Sequence, residues 1–364
     1  MPPDAEPILL SGARAPGEAR RAGGSGVRGR PGPVLPAALL AGAGRTPEGA
    51  AWLTRLPGLV DRAVDRWGLA LGEPFRSGSA SWCAPARDAA GRDLVLKVSF
   101  PHDEARDEAA VLRAWGGRGA VPLVDAHPDD WALLLGRARP GTPMRAVRTP
   151  VARRLAEAAD VLRALHAAPA PAGLPALADV GPRLADVAAE RAGRAVHAGV
   201  PLDRGLLRAA EATLRGAGAG AGGARAVVTL HGDLNPGNLL LAAGTEDTED
   251  TADAAGAGGG RWVALDPKAL SGDPGYDLWP LLEQVADPWR TGDPVRTLRQ
   301  RLVLVADRAG LDAAGAARWA VARGTEAALW AWHHGGGRPA AAREVDRGLA
   351  RARDWARVAD RLAG

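Results

Sequence analysis

The segment HGDLNPGN at residues 231–238 constrains this chain more than any other feature of its sequence. It places Asp233 five residues before Asn238 in a stretch rich in turn-forming residues. A second motif, LDPK at residues 265–268, ends the second of two apolar runs that are typical of the strands of a hairpin. We expect this hairpin to return Asp266 to the loop that carries the first motif.

The residue types in these two motifs suit phosphoryl transfer. That reaction needs a carboxylate that accepts the proton of the acceptor hydroxyl, and a divalent metal held on oxygen ligands across a triphosphate. Asp233 is our candidate base, and Asn238 and Asp266 are our candidate metal ligands. The alternative is that residues 231–238 form only a turn-rich surface loop, and the companion motif favours the catalytic interpretation.

Lysine and asparagine are rare in this chain, which makes their positions informative. Only two of each occur, and all but Lys97 lie in the two motifs. Lys97 closes a predicted strand, and Glu108 follows eleven residues later on a predicted helix, as expected for a phosphate-holding lysine and its acidic partner. Glu104 is a second candidate partner one turn earlier, and a solvated edge charge is the alternative role for Lys97.

The segment at residues 72–81 lies where a phosphate-covering lid would precede the strands. Its small residues Ser77, Gly78 and Ser79 could bind phosphate through their backbone amides, although the segment fits neither GxGxxG nor the Walker A pattern. An ordinary hairpin turn is the alternative. Lys268 could add positive charge near the phosphates.

The hydrophobic pattern divides the chain into three parts. Residues 1–33 are rich in Gly, Pro and Arg, and we expect them to form a disordered extension or to be an over-long start to the true reading frame. Residues 34–137 indicate an amphipathic helix, interrupted at Pro57, followed by strand, strand, helix, strand and strand. Residues 138–364 are mainly helical, with a low-complexity acidic insertion after Leu241. The predicted fold class is α+β, with a small β-rich part and a large helical part.

Composition excludes several classes of protein. The longest apolar runs are shorter than the roughly 20 residues of a membrane-spanning helix, and the N-terminus lacks the pattern of a secretory signal. Cys83 is the one cysteine, which rules out an internal disulfide and fits a reducing compartment. A net charge of +4 is too small to indicate nucleic-acid binding. We expect a cytoplasmic protein that binds neither membrane nor nucleic acid, and its oligomeric state is open.

Four segments together resemble a known family. They are GEPFRSGSASWCAPAR, LVLKVSFPHDEARDEAAVLRAW, HGDLNPGNLL and ALDPKALSGDPGYDLWPLL. They are similar to the aminoglycoside phosphotransferase superfamily, within it the streptomycin 6-phosphotransferase and hydroxyurea phosphotransferase group. The similarity runs from about Val34 to about Gly335. It implies a protein-kinase-like two-lobed fold, ATP and Mg as cofactors, and a small-molecule hydroxyl acceptor such as an aminoglycoside or a hydroxyurea-like compound.

The resemblance also implies roles for individual residues. It assigns the base role to Asp233, the metal roles to Asn238 and Asp266, and the phosphate contact to Lys97 with Glu108.

Other residues would support this site or bind the acceptor. We expect His231 to tie the catalytic loop to the core, and the resemblance implies that Asp277 braces this loop and that Asp273 caps the helix that follows. A cationic acceptor such as streptomycin would meet carboxylates on the later helices, although surface helices carry such acids in any case. The candidate acids are Glu283, Asp287 and Glu326.

The motifs leave the acceptor open. A housekeeping kinase acting on a sugar or an amino alcohol would use the same residues with a different pocket. A nucleotide-binding pseudokinase is a further alternative, and the presence of every expected catalytic residue argues against it.

Overall fold

A computed structural model gives the structure of this chain over most of its length. Ser77, the insertion after Ala243 and nearly all of the predicted N-terminal extension lie outside the described residues. The described part forms two compact units, a small one with Val121–Arg137 and the residues before Ala114, and a large one with Ala114–Ala120 and the residues from Ala138 onward. The described residues are 33–76, 78–218, 227–243, 260–336 and 339–363.

The small unit consists of an antiparallel sheet and the helices that accompany it. Its described strands follow the order β1-β2-β3-β5-β4, and each neighbouring pair is antiparallel. The predicted order of strand, strand, helix, strand and strand is confirmed. The elements in chain order are α1 (Ala37–Ala41), α2 (Pro47–Trp67), β1 (Ala70–Leu71), β2 (Ser81–Arg87), β3 (Asp93–Ser99), α3 (Asp103–Arg106), α4 (Glu108–Trp115), β4 (Leu123–His127) and β5 (Ala132–Gly136).

Side chains of β2 and β3 point alternately to the two faces of the sheet, and the two faces have different surroundings. One face packs against α2, and burial of each larger apolar side chain there contributes roughly 1.5–3 kcal/mol. The other face carries Cys83 of β2 and Lys97 of β3, which lie directly opposite one another in the ladder. The core residues shared by the first face and α2 include Leu56, Val60, Val64, Trp82, Ala84, Ala86, Leu94, Leu96, Val98, Ala132 and Leu134.

The prediction that the leading helix is interrupted at Pro57 was wrong. Helix α2 runs unbroken from Pro47 to Trp67, with Pro57 inside it. An interior proline removes one backbone hydrogen bond and costs about 3 kcal/mol. Trp52 and Leu56 before it, with further apolar residues after it, are buried on the sheet. Their packing offsets the cost of the proline and keeps the helix continuous.

The large unit is mainly helical and contains two short sheets. The predicted hairpin is confirmed, because β8 pairs antiparallel with β9, and β6 extends it on the other side of β8. None of the described helices is long and apolar enough to span a bilayer. The elements are β6 (Pro140–Pro143), α5 (Val151–His166), α6 (Leu177–His197), α7 (Arg204–Arg215), β7 (Val228–Leu230), β8 (Leu239–Ala243), β9 (Gly260–Ala264), β10 (Leu270–Gly272), α8 (Leu278–Gln284), α9 (Pro294–Ala309), α10 (Ala313–His334) and α11 (Pro339–Ala363).

Strand pairing in the large unit brings the two sequence motifs together. Strand β7 ends at Leu230, immediately before residues 231–238, and Leu230 pairs with Leu270 of β10. Residues 265–268 lie just before β10, so both motifs adjoin the two-stranded sheet of β7 and β10. Helix α10 is buried along most of its length and packs against the one-turn helix Pro274–Asp277, which follows β10.

Candidate active site

Residues 231–238 form a loop that lies against residues 265–268. Lys268 N donates a hydrogen bond of 2.7 Å to His231 O. Gly232 has a φ of +78°, and a Cβ atom added there would lie 2.2 Å from Lys268 O. Only glycine fits this conformation and this close approach of two backbones. The second motif is therefore a direct neighbour of the first.

A buried carboxylate holds the start of this loop. Asp277 has no exposed surface, and its two oxygens accept hydrogen bonds from the N–H groups of His231, at 2.9 Å, and Gly232, at 2.8 Å. His166 Nε2 lies 3.0 Å from the same carboxylate. Burial alone would raise the pKa of Asp277, but the hydrogen bond and charge of His166 and the contacts of His231 hold that pKa below its usual range.

The two peptides on either side of Asp233 are both held by hydrogen bonds. The Gly232 carbonyl accepts from Arg323 Nη2 at 2.9 Å, and Asp233 N donates to His231 Nδ1 at 3.3 Å. The Asp233 carbonyl accepts from Asn238 Nδ2 at 3.0 Å. The half-buried Asp233 carboxylate itself has no hydrogen-bond partner within the described part of the chain. The backbone is fixed and the carboxylate is left available.

His231 connects the loop to the core through its ring. Besides accepting from Asp233 N, the ring donates through Nε2 to Leu265 O at 3.1 Å, and it stacks on Trp115 with centroids 6.1 Å apart. Burial lowers the pKa of His231, which keeps the ring neutral, with its proton on Nε2. These contacts are those of a residue that anchors the loop.

Asn238 and Asp266 offer oxygen donors that suit a hard divalent cation. The amide nitrogen of Asn238 is used for Asp233 O, which leaves its amide oxygen for a ligand. Asp266 is exposed. Its φ of +60° is unfavourable for a residue other than glycine, and residues with such strained backbones are often found at functional sites. No group of three or more His, Cys, Asp or Glu side chains in the described residues is arranged to hold a metal. Mg²⁺ is commonly held by one or two such residues together with substrate phosphates and water, so the donor set fits it.

Two further predicted residues lie around this loop. Asp273 Oδ1 accepts a hydrogen bond of 2.9 Å from Gly275 N, and so caps the one-turn helix Pro274–Asp277 that carries Asp277. Lys268 is half-buried and contacts the loop through its backbone N–H.

In the small unit, Lys97 and Glu108 form a buried ion pair. Lys97 Nζ lies 2.7 Å from both carboxylate oxygens of Glu108, and the two residues are 5% and 2% exposed. Breaking a buried pair of this kind leaves a desolvated charge and costs several kcal/mol, on the order of 3–5. The strand and helix thereby hold the ammonium in a fixed direction.

The described residues of the predicted lid segment that precede β2 belong to no helix or strand and are mostly exposed. Gly78 has a φ of +115°, and Ser79 O accepts a hydrogen bond of 2.9 Å from Ala43 N. Ser77 lies outside the described residues.

The three acids predicted to meet an acceptor have different surroundings. Glu283 is half-buried and accepts hydrogen bonds from the indoles of Trp279 and Trp355, and desolvation raises its pKa. Asp287 caps the one-turn helix Pro288–Arg290, and its side chain is 42% exposed.

Glu326, the third of these acids, lines a cavity of about 190 Å³ between α6, α7 and α10. It pairs with Arg191 at 2.9 Å, and burial raises the pKa of Glu326 to about 7. Among the three acids, Asp287 is therefore the one that presents an exposed carboxylate.

Sequence reasoning missed two residues that hold the loop. His166 received no role, although it is one of only seven histidines and that rarity was a usable signal. Arg323 is 4% exposed and donates both to Gly232 O and to Tyr276 O, at 3.0 Å. Arginine is abundant in this chain, so no local signal marked this position.

Comparisons with known proteins match this chain to kinases that act on aminoglycosides or hydroxyurea. The family model for aminoglycoside/hydroxyurea antibiotic resistance kinases matches residues 66–335. Streptomycin 6-kinase of Streptomyces glaucescens is 37% identical over 288 residues, which cover 78% of this chain and 85% of that protein. Hydroxyurea phosphotransferase of Kitasatospora aureofaciens is 33% identical over 276 residues, 76% of this chain and 73% of that protein.

A solved structure shows the fold. The choline/ethanolamine kinase family protein of Mesorhizobium loti superposes with a TM-score of 0.51 at 16% identity, covering 84% of this chain and 98% of that one. The predicted protein-kinase-like α+β fold is confirmed.

Gly232→Ala is expected to destabilise the protein more than Gly199→Ala. Both glycines have a φ near +80°, but a Cβ at Gly199 meets nothing within 4 Å. The control substitution should cost about 1–2 kcal/mol of unfolding free energy from backbone strain alone. Gly232→Ala should lose about 1–3 kcal/mol more because its Cβ collides with Lys268 O. Urea unfolding of both variants measures the difference, and equal losses would contradict the proposed contact.

Proposed function

The chain belongs to the aminoglycoside/hydroxyurea antibiotic resistance kinase family, and we propose that it transfers the γ-phosphoryl group of Mg-ATP to a hydroxyl of a small molecule. Membership of this family makes the chain a phosphotransferase. The single observation that carries the more specific proposal is the fixed backbone on both sides of Asp233, which leaves its carboxylate available on a loop that also carries Asn238 and that adjoins the segment with Asp266.

In the proposed reaction the acceptor hydroxyl oxygen bonds to the γ-phosphorus as the bond from that phosphorus to the β,γ-bridging oxygen breaks. ADP leaves with the bridging oxygen. Asp233 hydrogen-bonds the acceptor hydroxyl, orients it for in-line attack and takes up its proton. Because the transition state is loose, positioning and charge stabilisation supply most of the rate.

The remaining polar residues would hold the nucleotide. Asn238 and Asp266 would bind Mg²⁺, which screens the charge of the triphosphate when bound. Lys97, directed by Glu108, would contact phosphate oxygens. Further contacts are proposed from the backbone of the lid and from the second lysine, namely at Ser77, Gly78, Ser79 and Lys268.

We propose streptomycin or a related aminoglycoside as the acceptor, with a hydroxyurea-like compound as the second candidate. The support is that two relatives above 30% identity are named for these compounds. A cytoplasmic location, where Mg-ATP is available, belongs to the same proposal. Recovery of the active protein only from the membrane or secreted fraction of producing cells would contradict that location.

The proposal predicts transfer of labelled γ-phosphate from Mg-ATP to streptomycin or hydroxyurea in a panel that also contains other aminoglycosides, sugars and amino alcohols. Asp233→Asn should lower turnover by about 100-fold or more, since the amide cannot take up the proton of the hydroxyl and accepts a weaker hydrogen bond from it than the carboxylate does. Chelation of Mg²⁺ should abolish transfer in the wild type.

Labelling of a sugar or an amino alcohol alone would favour a housekeeping kinase. Nucleotide binding with no labelled acceptor would favour a pseudokinase. Full activity of Asp233→Asn would remove Asp233 from the base role.

Nucleotide binding on the sheet face that carries Lys97 should protect the thiol of Cys83. This residue is the one cysteine of the chain and lies directly opposite Lys97 in the ladder. Saturating Mg-ATP should slow alkylation of Cys83 by iodoacetamide several-fold, and Lys97→Met should weaken this protection. Unchanged alkylation at a nucleotide concentration that saturates turnover would place the nucleotide elsewhere.

The acceptor contact predicted for Glu283, Asp287 and Glu326 is best tested at Asp287. Glu326 is buried, and the half-buried Glu283 already accepts hydrogen bonds from two indoles, whereas the Asp287 side chain is exposed. Asp287→Asn should raise the KM for streptomycin about two- to fivefold, as expected for loss of one exposed ion pair, and leave the KM for ATP unchanged. Asp293→Asn is the matched control, because Asp293 is an exposed helix cap as well. Equal KM values for streptomycin in the two variants would remove Asp287 from the acceptor site.

A further inference from the structure

The peptide bond between Gly232 and Asp233 is held at both ends by side chains. Its carbonyl oxygen accepts from Arg323, and its N–H donates to His231 Nδ1. A peptide is planar, so fixing these two ends fixes the plane from which the Asp233 side chain departs. Rotation of this plane would turn the Asp233 carboxylate away from the acceptor hydroxyl.

We propose that Arg323 is a positioning residue that holds Asp233 in the orientation required for phosphoryl transfer. This inference rests on the proposed function and adds to it a residue far from the loop in sequence. Arg323 contacts the carbonyl of Gly232 and acts through the backbone of Asp233.

Arg323 also connects the loop to the segment that carries Asp277. Its Nη1 donates to Tyr276 O at 3.0 Å while its Nη2 donates to Gly232 O at 2.9 Å. Asp277, the residue after Tyr276, accepts from Gly232 N at 2.8 Å. Asp277 therefore holds the N–H of Gly232, and Arg323 holds its C=O. Arg323 is in turn hydrogen-bonded to Tyr276, the residue before Asp277.

The surroundings of Arg323 favour arginine over any other cation. The guanidinium carbon lies 4.1 Å from the ring centroid of Tyr276 and 5.2 Å from that of Trp279. These rings stabilise a planar cation and fix its orientation. A lysine at this position has a single ammonium without the planar fork, and it cannot bridge both carbonyls in the same geometry.

A second buried arginine provides a matched control. Arg301 is 7% exposed, and its Nη1 donates to the carbonyls of Leu282, at 2.8 Å, and Ala286, at 2.6 Å. It thus makes the same kind of double contact at the end of α8, without contacting the loop at residues 231–238. Loss of either guanidinium should therefore cost comparable stability.

The test compares Arg323→Ala, Arg323→Lys and Arg301→Ala with the wild type by steady-state kinetics with Mg-ATP and the acceptor. We expect Arg323→Ala to lower kcat about 10- to 100-fold, with the KM for ATP within about twofold, because small misplacement of a catalytic group has effects of this size. Arg323→Lys should recover part of kcat. Guanidinium chloride at low millimolar concentration should restore part of the kcat of Arg323→Ala, and Arg301→Ala should keep a kcat close to that of the wild type.

Equal kcat values for Arg323→Ala and Arg301→Ala would overturn the inference, as would the absence of any rescue by guanidinium. If Arg323→Ala fails to fold, the kcat of Arg323→Lys decides, and a value equal to that of the wild type rejects a positioning role.

Hydrogen exchange separates this inference from the proposed function. Amides of residues 231–235 should exchange faster in Arg323→Lys than in the wild type, whereas Arg301→Ala should leave them unchanged. A wild type without transfer to any acceptor would reject the proposed function. In that case, if the amides of residues 231–235 exchange at the same rate in Arg323→Lys as in the wild type, the inference that Arg323 fixes the loop is rejected as well.

Discussion

The hydrogen bonds from His231 N and Gly232 N to the buried carboxylate of Asp277 are the interaction on which the rest of the candidate active site depends. A carboxylate without exposed surface is costly unless its oxygens are satisfied, and here two backbone N–H groups and His166 satisfy them. This arrangement fixes the point at which the chain leaves β7. The orientation of Asp233, two residues later, follows from that fixed start.

The same network stabilises a backbone that local preferences would not produce. Gly232 and Asp266 both have positive φ values, and Asp266 adopts this conformation without the freedom of a glycine. Hydrogen bonds from Leu265 N to Asn238 O and from Lys268 N to His231 O attach the chain on both sides of Asp266 to the loop at residues 231–238. Contacts between the two motifs therefore stabilise the strained residue and place Asp266 beside the loop.

Much of the fold, and the candidate residues at the centre of the proposed site, could be predicted from the sequence because their signals are local. The hairpin of β8 and β9 and the spacing of Asp233 and Asn238 depend on neighbours in the chain. His166 contacts Asp277 across 111 residues, and Arg323 contacts Gly232 across 91, and no local pattern encodes such pairings. The error at Pro57 has a similar origin, because packing of a whole helix on a sheet overrode the preference of one residue. The exposure of candidate acids such as Glu326 likewise depends on tertiary packing.

We infer that Asp277 orients the loop that carries Asp233, and the single-turnover rate of phosphoryl transfer in Asp277→Asn tests this inference most directly. An asparagine offers one acceptor oxygen and turns its NH₂ group toward a second backbone donor, so one of the two N–H groups loses its partner. We predict a rate about 100-fold or more below that of the wild type, with nucleotide affinity unchanged. A rate within about threefold of the wild type in a folded variant would contradict it.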